Sequence, residues 1–213
     1  MGRSVVAPFL WNRGIRRIDH VIGTHPQLDH VGGLAWILAH FQVEKFWTNG
    51  VERQEEFWRR IERAMVQRKL EATVATEGRL ISEGPACRMV VLNPQPRPES
   101  SISAKSESLN NLSVVTELVC REQRVLFTGD IEREALTRLT HSGNSAHIAL
   151  LKVPHHGAKS SLERRWLETI RPAVAKGLMS GTTMLSSISS GPWSETTSTG
   201  IGFCGVSDGF AGV

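Results

Sequence analysis

Most features that would class this 213-residue chain at a glance are missing from it. Its three cysteines, Cys87, Cys120 and Cys204, lie far apart and form no CxxC pair. Such spacing argues against a thiolate zinc site and against a disulfide framework, and buried small hydrophobes are the expectation. No stretch approaches the roughly 18 apolar residues that a membrane helix needs. The best run, Leu34 to Ala39, stops at His40. Arg3 has no sustained apolar segment behind it, so no secretory signal is read there. The expectation is a soluble chain. From Lys176 onward histidine is absent and only three charged residues occur, in a segment dominated by Gly, Ser and Thr.

What remains is ordinary globular material. Apolar residues make up 40% of the chain and charged residues 22%, which excludes a disordered polyelectrolyte. The formal charge of +4 tolerates an anionic partner without requiring one. Arg16 to Thr24 reads as a buried strand, followed by a turn at His25-Pro26 and a helix over Gly33 to Phe41. Val43 to Trp47 is strand-like. Glu52 to Leu70 has Phe57, Ile61 and Met65 four apart, which predicts an amphipathic helix. Met89 to Leu92 is β-like and runs into a Pro- and Ser-rich loop over 93–109. Ser113 to Cys120 and Arg124 to Thr128 read as paired strands about a polar turn. A short helix over Glu132 to Leu139, a strand over Ala146 to Val153 and a helix over Ser160 to Ile170 follow. Ser160 and Glu163 are spaced as a capping box for the last of these. Trp11, Trp36, Trp47, Trp58 and Trp166 sit on apolar faces and are read as core or interface residues. The arginines around the helix, Arg59, Arg60, Arg63 and Arg68, are read as a solvated face. Alternating strands and helices with one antiparallel pair imply layered α and β structure over residues 1–175. The segment 176–213 is expected to be a non-native or disordered tail.

Chemistry is concentrated at three strand ends. The first is His25-Pro26-Gln27-Leu28-Asp29-His30, where a strand gives way to a helix. Two imidazoles and a carboxylate in six residues can converge on one ion, and zinc or manganese accepts N and O donors of this kind. Asp130 follows the apolar run Val125-Leu126-Phe127, and His155-His156 follows Leu150-Leu151. Asp130 alone could be a helix cap, and the histidine pair alone a hydrogen-bonded turn. Three His and Asp clusters at strand ends are a stronger signal than any one.

These residues carry a resemblance. HPQLDHVGG resembles the H-x-[HD]-x-D-H-x-G-G motif of the metallo-β-lactamase superfamily, FTGD its later bridging aspartate, and VPHHG its final histidine motif. The order THPQLDHVGG, NNLSVV, LFTGD, KVPHHG is similar to the metallo-β-lactamase-like domain of the DNA-internalisation competence protein (ComEC) family, over residues 2 to about 175. The resemblance implies an α/β four-layer αββα sandwich and a site for one or two ions, zinc or manganese. It implies His25, Asp29, His30, Asp130 and His156 as metal ligands, His155 as a neighbour or alternate ligand, and Asp29 and Asp130 as catalytic. It further implies a hydrolase acting on DNA through a metal-activated water. The family's parent proteins are inner-membrane associated and join such a domain to a membrane channel.

Departures from the pattern narrow the expectation. Position 27 is Gln where the superfamily has His and the competence family an acid, and Asn110-Asn111 stands where the superfamily has its mid-chain histidine. One metal position, built from Asp29, His30, Asp130 and His156, survives whole, while the one served by His25 loses partners. Against the family's pattern, the first strands and the C-terminal motif are expected to be missing. Two alternatives to a nuclease-like hydrolase stand beside it: a catalytically silent docking remnant, and a superfamily hydrolase of small esters.

Overall fold

A computed structural model describes residues 1–51, 53, 55–97, 108–141, 147–161, 163–179, 182–187 and 196–197. Two sheets form its frame. The smaller is all parallel, in the order β1-β2-β3, from β1 (Arg17–Ile22), β2 (Gln42–Thr48) and β3 (Ala72–Val74). The larger runs β11-β10-β9-β8-β7-β6-β5-β4. Its strands are β4 (Leu80–Glu83), β5 (Cys87–Asn93), β6 (Val115–Cys120), β7 (Gln123–Phe127), β8 (Leu150–Lys152), β9 (Val174–Met179), β10 (Thr182–Ser187) and β11 (Thr196–Thr197). Pairing is antiparallel from β4 to β7, parallel from β7 through β8 to β9, and antiparallel again to β11.

Three apolar clusters show how the layers stack. Phe46 and Val21 of the small sheet pack with Leu38 of α3 (Leu34–His40) and with Trp58, Ile61 and Ala64 of α4 (Glu56–Arg68). Trp47, on the opposite face of β2, packs instead against Ile81 and Val91 of the large sheet. That alternation along one strand joins the helix layer to the sheet-on-sheet core. Leu126 and Leu151 on the far face of the large sheet meet Leu136 of α5 (Arg133–His141) and Trp166 of α6 (Arg164–Ile170). The order is helix, sheet, sheet, helix: a mixed α/β sandwich of four layers.

Local details differ from the sequence expectation in ways with physical causes. The buried face of α4 is centred on Trp58, Ile61 and Ala64, with Phe57 and Met65 only partly buried at its margins. The last helix begins at Arg164, not Ser160. The residues before it form a 3-10 turn, and Glu163 at its N-cap makes no side-chain capping bond. Trp11, on α1 (Ala7–Asn12), is 44% exposed although it stacks on Phe41, so it is not a core residue. Cys87 and Cys120 face each other across β5 and β6 and form a disulfide, against the expectation of isolated cysteines. Thirty-three positions separate them in sequence, and only the antiparallel register brings them together. Cys204 and most of the 93–109 loop lie outside the described residues. Among the described residues no helix is long and apolar enough to cross a membrane.

Phe46 is fully buried between β2 and the helices, whereas Val66 on the outer face of α4 is 79% exposed. Phe46→Ala is therefore expected to lower the unfolding free energy by about 3–5 kcal/mol, and Val66→Ala to change it by no more than about 0.5 kcal/mol. Urea denaturation of the two variants checks the layer assignment. Equal effects would contradict it.

Candidate metal centre

Because β7 and β8 are parallel and β6 runs against β7, the end of β7, the end of β8 and the start of β6 share one edge of the large sheet. The end of β1 meets the same edge: the backbone N–H of Val114 donates to the carbonyl of Thr24 at 2.7 Å. Four loops thus converge, and loops at strand ends are where such folds place reactive groups.

The first loop turns at Pro26 into α2 (Leu28–Val31), whose opening turn carries Asp29 and His30. Asp130 lies three residues beyond β7, behind the tight turn at Gly129. Gly129 has φ +54°, and a β-carbon there would stand 2.6 Å from the Ser113 β-carbon, so only glycine lets these loops approach. The third loop follows β8. His155 and His156 both adopt left-handed backbone (φ 43° and 56°), a conformation costing on the order of 1 kcal/mol or more per residue. The strained turn sets the two rings at 64° to each other.

Four side chains converge. Asp29, His30, Asp130 and His156 each offer a donor atom, and these atoms lie within 4.8 Å of one another. The Nε2 of His30 is 2.9 Å from Asp130 Oδ2 and 3.6 Å from Asp29 Oδ2. The Nε2 of His156 is 3.2 Å and 3.9 Å from the same two oxygens. His155 points elsewhere, its Nδ1 lying 3.1 Å from Glu132 Oε1 but off the line of a hydrogen bond. His25 also stays outside the cluster. Its Nδ1 meets the hydroxyls of Thr24 and Ser113, each at 3.1 Å, while its Nε2 is buried with no hydrogen-bond partner.

Asp130 is the buried charge of the group, with its side chain 2% exposed, whereas Asp29 at the rim is 63% exposed. Burial alone would raise the Asp130 carboxyl. The His30 hydrogen bond and the charges of Lys152, His30 and His156 outweigh it and hold Asp130 well below the usual carboxylate range. Lys152 contributes through its Nζ, 3.3 Å from Asp130 Oδ1 and 2.6 Å from the Gly129 carbonyl. Burial lowers the Lys152 ammonium, and Asp130 pushes it back up. The His156 imidazole is lowered, first by burial. Two imidazole nitrogens and two carboxylate oxygens this close are a donor set that fits a divalent ion such as zinc or manganese.

Support for this cluster comes from residues to which the sequence alone assigns no contact. Ser113 is fully buried, accepts the Asp130 backbone N–H at 3.1 Å and meets His25, so one hydroxyl ties two loops together. Asn111 accepts the Glu132 backbone N–H at 2.8 Å and steadies the start of α5. Asn93 donates to the carbonyls of Asn111 and Ser113. The available signal was a run of short polar residues, Asn110, Asn111 and Ser113, directly before an apolar strand.

Burial, then the nearby His30, lower the His25 imidazole to about 4 from an ordinary 6.5. The unfolded chain therefore takes up a proton on this residue while the folded chain does not, so stability falls as pH drops from 6.5 toward 4. The chain treated with chelator should lose about 3 kcal/mol from this group across that window. Thermal unfolding followed between pH 7 and 4 should show a shallower fall for His25→Asn than for the wild type. Identical slopes would contradict the buried neutral imidazole.

The profile of the Metallo-beta-lactamase superfamily matches residues 2–86. ComE operon protein 3 of Bacillus subtilis (strain 168) is 27% identical over 182 residues, covering 82% of this chain. The chain spans 22% of that protein's length. Among solved structures, a metallo hydrolase from the hyperthermophilic archaeon Ignicoccus hospitalis aligns with TM-score 0.44 at 18% identity, covering 74% of this chain and 61% of the other. CmlA, a diiron β-hydroxylase from Streptomyces venezuelae, aligns with TM-score 0.44 at 15% identity, covering 75% and 35%. Residues 2–86 are thus similar to the metallo-β-lactamase superfamily, and most of the chain is similar to part of a ComEC-family competence protein.

Proposed function

We propose that this chain is a metal-dependent hydrolase domain acting on nucleic-acid phosphodiesters, with Asp29, His30, Asp130 and His156 as the residues that hold the ion. The observation that carries this reading is the convergence of those four donors at one edge of the sandwich. Zinc and manganese both suit the set, and either would act there as a Lewis acid and acidify water.

The chain's own residues divide the work. His30 and His156 present Nε2 to the cluster, and His30 is oriented by the Thr24 hydroxyl, 3.5 Å from its Nδ1. Asp130 is fixed by Lys152 on one oxygen and by the imidazoles on the other. Asp29, at the solvent edge, is the carboxylate placed to accept a proton from water entering the site. The net charge of +4 suits a polyanionic substrate. The resemblance of its motifs to the DNA-internalisation competence family makes DNA the favoured substrate and a membrane-channel protein the favoured parent.

A second reading, an ion-binding domain without catalysis, draws on one observation. Gln27 and Asn110, at positions where related sites hold ligands, are hydrogen-bonded to each other. Single-stranded and duplex DNA incubated with the chain and either ion separates the two readings. Cleavage should stop with chelator, weaken as salt rises, and drop by roughly 100-fold or more in His30→Ala and Asp130→Ala. An ion-loaded chain that cleaves neither DNA would support the second reading, and cleavage of small esters alone would replace the substrate class.

A further inference from the structure

Next to the four-residue cluster lies a second polar group whose one carboxylate, Glu132, is engaged by Asn110 and faces His155. Gln27 Nε2 donates to Asn110 Oδ1 at 2.9 Å, and Asn110 Nδ2 donates to Glu132 Oε1 at 3.2 Å. The same Glu132 oxygen faces His155 Nδ1 at 3.1 Å. The Gln27 side chain also lies against His25. Asp130 spends Oδ2 on His30 and His156 and Oδ1 on Lys152.

Resting on the reading that the four-residue cluster holds an ion, we propose that this chain binds a single divalent ion, because the Gln27–Asn110 amide pair closes the position beside His25. The physical case is one of charge and of donors already used. A second dication beside His25 would find one neutral imidazole and two amides bonded to each other. It would have to compete for Glu132 with Asn110 and His155, and for Asp130 with the Lys152 ammonium. Neutral amide oxygens are weak ligands for zinc, and a dication taken from water without compensating charge is unfavourable. His25, whose Nδ1 is held by Thr24 and Ser113, is the imidazole at that position. Gln27→Asp would supply the missing charge next to it and remove the amide hydrogen that Asn110 now accepts. The substitution should therefore open the second position by itself.

Metal content of the purified full chain tests this without reference to activity. Wild type and Gln27→Asp are stripped with chelator, loaded with excess zinc, desalted and measured by elemental analysis. The expected ratios are one zinc per wild-type chain and two per Gln27→Asp chain. Gln27→Glu serves the same purpose if Gln27→Asp does not fold by circular dichroism. Two zinc ions in the wild type would overturn the proposal, and so would one ion in a folded acidic variant. A wild type that holds none would instead remove the ion-site reading beneath it.

Discussion

The buried carboxylate of Asp130 is the constraint on which the site depends. A charge 98% removed from solvent must be matched by partners or it protonates, and here every partner comes from a different part of the chain. Lys152 arrives at the end of β8, His156 from the turn that follows it, His30 from the loop after β1, and Ser113 from the approach to β6. Holding that carboxylate therefore requires that β6, β7 and β8 be adjacent in the large sheet and that the small sheet's first loop meet them. The left-handed backbone at His155 and His156 and the glycine at 129 serve the same end. Each permits a close approach that ordinary backbone would refuse.

Much of the layered architecture was legible because hydrophobic periodicity reports burial directly. The runs that became β1, β2, β5, β6 and β7 and the helices α3, α4 and α5 are apolar on the faces that pack. What was missed is short or depends on pairing. β3 and β4, of three and four residues, are partly exposed and show no pattern long enough to read, and β9 and β10 run into the Gly-, Ser- and Thr-rich segment, where no apolar periodicity marks them. The Cys87–Cys120 disulfide depends on strand register, which sequence spacing does not reveal.

The reactive residues were legible as strand-end clusters, and the structure brings Asp29, His30, Asp130 and His156 within reach of one another. Which of His155 and His156 turns toward Asp130 could not be read from two adjacent identical residues, since the choice is made by backbone dihedrals. The contacts of Ser113 and Lys152, which stand in the NNLSVV and KVPHHG segments, were not legible for a different reason. Each is defined by what its side chain touches across the sheet, at a sequence distance of 17 and 22 residues from Asp130. Gln27 was visible as a departure, but its partner Asn110 is 83 residues away and only folding discloses it.

The central claim is that three strand ends build one ion site around Asp130. Anomalous diffraction from a crystal grown with zinc, recorded on both sides of the metal edge, addresses it most directly. The account predicts a peak about 2.0–2.1 Å from the Nε2 atoms of His30 and His156, with Asp130 also bound. A zinc peak held elsewhere on the chain, with that cluster lacking one, would contradict it.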